Sequence, residues 1–151
     1  MIEGEGLENT GDVVSDEGLR IAVDQFTQAG RLVGKEVAII AKEIDQTGSI
    51  GGDRIEIEAD RLRQGETGIV QAGLVRFGVG ELVQDGVVAG TDVVVEGELI
   101  VNNGAMMGDQ LVLDVTRLVH TGELVTGSDL TLRLDQFEQS GYVDVGGDLL
   151  I

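Results

Sequence analysis

The sequence contains no cysteine and no proline, and aromatic residues make up only 3% of its 151 residues. Without cysteine the chain has neither a disulfide framework nor a thiolate metal site. Without proline, every backbone N–H is free to take part in a sheet ladder. A core with so few aromatic side chains must consist mainly of valine, isoleucine and leucine, and a hydrophobic content of 42% is enough to form one.

Basic residues are also scarce. Ten Lys and Arg stand against 28 Asp and Glu, which gives a formal net charge of −18. Such a charge repels phosphate backbones and anionic lipids, so we expect no nucleic-acid partner and no membrane insertion. The only lysines are Lys35 and Lys42. An acidic, lysine-poor surface suits high salt, where self-repulsion is screened, and this hints at a saline habitat.

Targeting signals are missing from the sequence as well. No apolar run approaches the roughly 18 residues of a membrane-spanning helix. The first residues, MIEGEGLENTG, have neither the basic region nor the apolar region of a signal peptide. If the parent protein is secreted, we expect its signal to lie outside this chain.

What the sequence does contain is a repeat of 18–20 residues, whose register can be set on glycine. An apolar residue stands two positions after each glycine in all eight copies, from Val13 and Leu32 to Val143. Further apolar residues alternate later in each copy, as Ile55 and Ile57 do. The apolar columns establish the repeat, because the glycines were used to align it. The glycines are Gly11, Gly30, Gly48, Gly68, Gly86, Gly104, Gly122 and Gly141.

One column of the repeat is polar and holds a carboxamide in seven of its eight copies. The copy at 62–81 inserts Gly65 and Glu66 between its amide and its glycine. The column predicts a ladder in which each amide bonds to the amide one copy away, which would satisfy polar groups close to a core. Polar decoration of the surface is the alternative. The members of this amide column are Asn9, Gln28, Gln46, Gln64, Gln84, Asn102, His120 and Gln139.

A repeat with period-two apolar segments and glycine corners is typical of one coil of a β-solenoid. The sequence therefore predicts an all-β parallel β-helix of about eight coils, forming one domain over residues 1–151. Residues 1–6 are expected as an irregular N-terminal edge, and 62–81 as an irregular coil. Coil lengths that drift from 18 to 20 favour the right-handed form. At about 4.8 Å per coil, the rod would be roughly 38 Å long.

The motif L-x-N/Q-x-G-x-I-x-G followed by L-x-L-x-A resembles the repeats of filamentous haemagglutinin and related two-partner-secreted exoproteins. That group includes the shafts of contact-dependent inhibition toxins. The stretches LENTGDVVSDEGLRIAV, FTQAGRLVGKEVAIIA, IDQTGSIGGDRIEIEA and LTLRLDQFEQSG carry the likeness, which covers the chain from Leu7 to Ile151. Two departures are that Gln outnumbers Asn in the amide column and that no secretion-domain motif or toxin tip is present.

The resemblance implies a right-handed parallel β-helix within a long shaft that is secreted or displayed on the cell surface. Its partners would be neighbouring coils of a longer parent chain, with a cell-surface receptor or glycan as a further partner.

Some parallel β-helices are polysaccharide-active enzymes, so the carboxylates are candidates for a binding or catalytic site. Five aspartates recur before the third strand of their copies and could bind Ca²⁺ or supply paired catalytic carboxylates. Aspartate is also common in turns, and the calcium-binding motif GGxGxDxUx is absent, so a structural role is favoured. These aspartates are Asp53, Asp92, Asp109, Asp129 and Asp148.

His120, the only histidine, occupies a slot of the amide column, where it can replace the donor and acceptor of a glutamine. Four arginines, Arg54, Arg61, Arg63 and Arg76, cluster in the two copies beside the Gly65–Glu66 insertion. This bulge could carry a ligand loop, although a tolerated insertion is the simpler interpretation. We expect no catalytic residue, no cofactor and no metal ligand.

Three functions are compatible with these patterns. The first is a non-enzymatic rod segment of a haemagglutinin-like adhesin or toxin-delivery exoprotein. The second is a filament subunit of the bactofilin kind, whose open ends pair with other copies. A polysaccharide-active enzyme is disfavoured, because no insertion is long enough to build a substrate groove.

Overall fold

A computed structural model describes the whole chain, residues 1–151, as an all-β molecule without a helix. The alternation of apolar and polar residues is what a strand with one buried face requires. The strands, numbered in chain order, are β1 (Ile2–Asn9), β2 (Asp12–Val14), β3 (Gly18–Gln28), β4 (Arg31–Val33), β5 (Glu36–Gln46), β6 (Ser49–Gln64), β7 (Ile69–Gln84), β8 (Val87–Asn102), β9 (Ala105–His120), β10 (Glu123–Thr126), β11 (Leu130–Arg133), β12 (Gln136–Gln139), β13 (Tyr142–Val145) and β14 (Leu149–Leu150).

All strand pairs are parallel, and each joins segments one repeat apart. Ile39 pairs with Ile57, Ile57 with Phe77, and Phe77 with Val95, so the columns of the sequence repeat are columns of the sheet. The predicted fold is confirmed: the molecule is a parallel β-solenoid of about eight coils. Its handedness stays a prediction.

The core runs along the axis of the solenoid as one cluster of 31 buried hydrophobic residues. Ile57, Phe77 and Val95 lie in neighbouring coils and are each at most 1% exposed. Because an inward side chain lies about 4.8 Å from its equivalents in the next coils, every coil has to supply a residue of similar kind. This stacking is the physical cause of the repeat.

Each of the four long strands β6–β9 supplies several sides of its coil. In β6 the alternation of buried and exposed residues is interrupted at Asp53–Arg54 and again at Asp60–Arg61, where both residues are exposed. Two consecutive exposed residues mark a bend of the backbone, so the strand wraps around the core in three segments. The glycine corner then leads to the next coil.

The irregular regions predicted from the sequence have definite places. Partners in β6 and β7 are 20 residues apart, against 18 in the next coil pair, and the two extra residues, Gly65 and Glu66, belong to the turn over 65–68. Residues 2–6, expected as an irregular edge, instead belong to β1 and pair with β3 from Ile2 onward. They pair because β3 offers a free edge to the N-terminal segment.

Candidate functional site

The amide column is buried under the glycine corners. Its six inner members, from Gln28 to His120, have no exposed surface, and Asn9 in the first coil is 9% exposed. Gln139 in the last coil is exposed, because no further coil covers it. Polar side chains that are shielded this completely need hydrogen-bond partners inside the protein.

The partners of the amide column are mostly backbone carbonyls. The Nε2 of Gln64 donates to the carbonyl oxygen of Gly68 at 3.0 Å and to that of Val87, one coil further, at 2.8 Å. Gln28, Gln46 and Gln84 each make the equivalent two bonds. One amide therefore satisfies a carbonyl of its own corner and one of the next corner, and it fastens neighbouring coils together.

This geometry differs from the amide-to-amide ladder that the sequence suggested. Only Asn9 donates to a carboxamide, with its Nδ2 lying 2.8 Å from the Oε1 of Gln28. In the four column glutamines from Gln28 to Gln84, both donor positions of the nitrogen are taken by carbonyls. Three column oxygens, Gln46 Oε1, Gln64 Oε1 and Asn102 Oδ1, are buried without a partner. A buried unpaired acceptor costs about 1–3 kcal/mol, which offsets part of what the donor bonds contribute.

His120 fills its slot with one ring nitrogen as a donor and the other as an acceptor. Its Nε2 lies 3.0 Å from the carbonyl oxygen of Tyr142, an atom that can only accept, so Nε2 carries the proton. Its Nδ1 lies 3.2 Å from Asn102 Nδ2, which also donates to the carbonyl of Glu123, so Nδ1 accepts. Both ring nitrogens are used within the column, and His120 lies in the core without access to a substrate.

The corner glycines are required by close approach of the coils. A Cβ on Gly48 would lie 2.0 Å from the carbonyl oxygen of Gly30, and a Cβ on Gly104 would lie 2.2 Å from that of Gly86. No corner glycine has a positive φ, so the requirement for glycine comes from the close approach and not from a left-handed backbone. Gly11, in the first coil, has nothing within 4 Å of its Cβ position.

The five candidate aspartates lie in two adjacent columns. Asp53 and Asp109 stand two residues before the paired inward column of Ile55 and Leu111, whereas Asp92, Asp129 and Asp148 stand one residue before it. Asp129 Oδ1 accepts the backbone N–H of Asp148 at 3.0 Å, which ties the last coil to the one before it. No three His, Asp or Glu side chains are arranged to hold a metal ion.

Acidic residues lie beside all four members of the arginine cluster. Its members form exposed pairs: Arg54 with Glu56 at 2.6 Å, Arg61 with Glu81 at 3.5 Å, and Arg76 with Glu96 at 3.3 Å. Arg63 pairs in register with Asp45. The bond to Glu56 raises the pKa of the Arg54 guanidinium.

The Gly65–Glu66 insertion adjoins these strands without forming a long loop. The N–H of Gly68 donates to the carbonyl of Gly65 at 2.9 Å, and Thr67 Oγ1 donates to the carbonyl of Thr47 at 2.8 Å. The two extra residues are thereby closed into a tight turn against the preceding coil. Arg54, Arg61 and Arg76 are paired with acids, and the insertion is closed by its own hydrogen bonds.

A surface depression with a volume of about 640 Å³ lies on the sheet face that follows the glycine corners. Four glycines, Gly51, Gly52, Gly73 and Gly90, are among its 13 lining residues. Its only charged lining residue is Arg31. The depression therefore offers no pair of carboxylates for acid–base chemistry.

Comparisons with models of protein families, with curated proteins and with solved structures find no match for this chain. The likeness to haemagglutinin repeats thus rests on the motifs in the sequence, and the β-solenoid is the part of it that the structure bears out. The molecule has no helix long and apolar enough to cross a membrane.

Proposed function

We propose that this chain is a non-catalytic, rigid rod segment of a secreted or surface-displayed exoprotein, of the haemagglutinin-like adhesin or toxin-delivery kind. The observation that carries the proposal is the unbroken parallel path from β1 to β13, in which coil follows coil. A single core cluster extends through this path from Leu19 to Leu132. A rod of this kind separates what lies at its two ends by a fixed distance.

Stiffness follows from how the coils are joined. Each pair of neighbouring coils in the middle of the rod shares 14 residues in register, and the amide column adds bonds from coil to coil. Bending the rod would break these bonds on one side, and a buried backbone group that loses its partner is costly. The sequence motifs shared with haemagglutinin repeats supply the surface location in this proposal.

Location is tested on cells that make the parent protein. An antibody against the folded chain should label intact cells, and external protease should remove the label. A cytoplasmic marker protein, which should be labelled only after permeabilisation, is the control. Labelling of the chain that also needs permeabilisation would overturn the surface assignment.

The spacer role is tested by changing the length of the rod. Duplicating residues 87–104, one complete coil between Val87 and Ala105, should give a folded chain about 4.8 Å longer by small-angle X-ray scattering. Duplicating only residues 87–95 is the matched control, because it shifts every later column out of register and should disrupt the fold. A rod that unfolds on the full-coil duplication would refute the modular spacer.

The open ends favour a second candidate, a self-assembling filament subunit. The strands β12, β13 and β14 each pair on one side only. Leu149, Leu150 and Ile151 are 50–69% exposed at this edge. Unpaired strand edges with apolar side chains are templates for another chain. Light scattering at increasing protein concentration tests this candidate. The average mass of a filament subunit should rise with concentration, and a mass that stays at that of one copy at all concentrations would refute it.

A further inference from the structure

We propose that two copies of this chain join head to tail in one defined register, and that their acidic ends make the joint depend on salt. This inference rests on the second proposed function, the filament subunit. The interaction surface consists of the C-terminal edge, residues 133–151, and the N-terminal edge, residues 2–20. With about 19 residues on each side, the joint approaches the roughly 20 residues a side of a stable interface.

The register follows from the columns. The last coil places Phe137, Gln139 and Val143 at its open edge, in the columns that begin with Leu7, Asn9 and Val13. If a second copy continues these columns, its Leu7 stacks on Phe137, its Asn9 on Gln139 and its Val13 on Val143. Phe137, Val143, Leu7 and Val13 are all only partly buried in one copy, so the joint would complete their burial.

The amide column supplies a hydrogen bond that one copy lacks. Each of the four inner column glutamines bonds one carbonyl on its own coil and one on the next, as Gln84 does with Gly86 and Ala105. Gln139 makes only the first of these bonds, to Gly141 at 3.0 Å. In the joint, its free N–H would point to the carbonyl of Asp12 in the next copy.

Gly11 is a corner glycine whose Cβ position faces open space in a single copy. The Cβ positions of Gly30, Gly48, Gly104 and the other corner glycines from Gly86 on meet the carbonyl oxygen of the preceding corner glycine at 2.0–2.3 Å. Gly11, in the first coil of this structure, has nothing within 4 Å of its Cβ position. In the joint, Gly141 of the neighbouring copy would occupy that place, so only glycine would fit at position 11.

The ends are acidic. Residues 1–19 contain six carboxylates and residues 134–151 contain four, and neither segment has a Lys or Arg. In the proposed register Glu8 lies over Glu138 of the neighbouring copy, whereas Glu3 lies over Arg133. Repulsion between the ends therefore opposes the joint in dilute buffer, and screening by salt relieves it. Ile2 of one copy and Ile151 of the other would occupy the same position in the joint, so the exposed Ile151 would move aside.

The experiment measures association of the 151-residue chain by analytical ultracentrifugation across 0–2 M NaCl. The native chain should associate increasingly as salt rises. Gly11→Ala should abolish association at every salt concentration while its thermal unfolding in dilute buffer matches the native chain. Gly78→Ala, whose Cβ would lie 3.9 Å from Glu58 in the middle of the rod, is the control and should associate like the native chain.

Two further variants test the register at equal net charge. Glu8→Lys should strengthen association about threefold to tenfold, because a repulsive pair becomes attractive, and Glu3→Lys should weaken it by a similar factor. If both variants shift association in the same direction, or if Gly11→Ala associates like the native chain, the chain self-associates by another surface. Either result would refute the proposed joint. If the native chain stays monomeric at every salt concentration, the filament function fails together with the joint.

Discussion

The middle of the rod and its two ends are built from the same repeat, yet they are held very differently. Neighbouring coils from β6 to β9 share 14 register pairs, whereas β1 shares seven with β3, and the final strands β13 and β14 share four and two with their neighbours. Gln64 is fully buried and bonds two carbonyls, while Gln139 is exposed and bonds one. Stability in a solenoid therefore depends on having a coil on both sides.

The largest difference between the two regions is expected in the core. Phe77→Ala should cost about 3–5 kcal/mol, because its fully buried ring leaves a cavity between two coils. Phe137→Ala should cost less than half as much, since solvent or a shift of the last coil fills the space. Urea unfolding of both variants measures the two losses, and equal losses would refute the distinction between middle and end.

The corner glycines give the next largest difference. Gly48→Ala should destabilise the chain by about 3 kcal/mol or more, because its Cβ would collide with the backbone of Ala29 and Gly30 and the coils would have to separate. Gly11→Ala, at the same corner of the first coil, should be nearly neutral in dilute buffer. Thermal unfolding compares the pair, and a tolerated Gly48→Ala would mean that the coils are less closely stacked than described.

A smaller difference is expected in the amide column. Gln64→Met keeps the volume but leaves the carbonyls of Gly68 and Val87 without a donor, so it should cost about 2–3 kcal/mol. Gln139→Met removes one exposed bond and should cost less than about 0.5 kcal/mol. Denaturant midpoints separate these values. A stable Gln64→Met variant would show that the column's bonds contribute little beyond packing.

The smallest difference concerns charge. The rod carries a net charge of −18, and its stacked acids repel, so the thermal midpoint should rise by several degrees between dilute buffer and 1 M NaCl. The terminal coils lack basic residues, and salt should therefore slow amide hydrogen exchange in β1 more than in β7. A midpoint that is flat or falls with salt would contradict the prediction.

The architecture could be predicted because the apolar columns and the glycine corners can be recognised in the sequence itself. Ile57, Phe77 and Val95 could be placed in one buried column from spacing alone, and the structure pairs them. The partners of Gln64 could not be predicted, because the directions of the corner carbonyls depend on backbone angles that spacing does not give. The pairing of Arg61 with Glu81 likewise required the register across the 20-residue coil.

The central claim, that eight coils are stacked in this register, is tested most directly by distances along one outward column. Asp12, Arg31, Ile69 and Tyr142 lie in one column, with Asp12, Arg31 and Ile69 respectively seven, six and four coils from Tyr142. Spin labels at Tyr142 paired in turn with Asp12, Arg31 and Ile69 should give backbone distances of about 34, 29 and 19 Å by double electron–electron resonance. Distances that do not increase stepwise with coil number would contradict the solenoid.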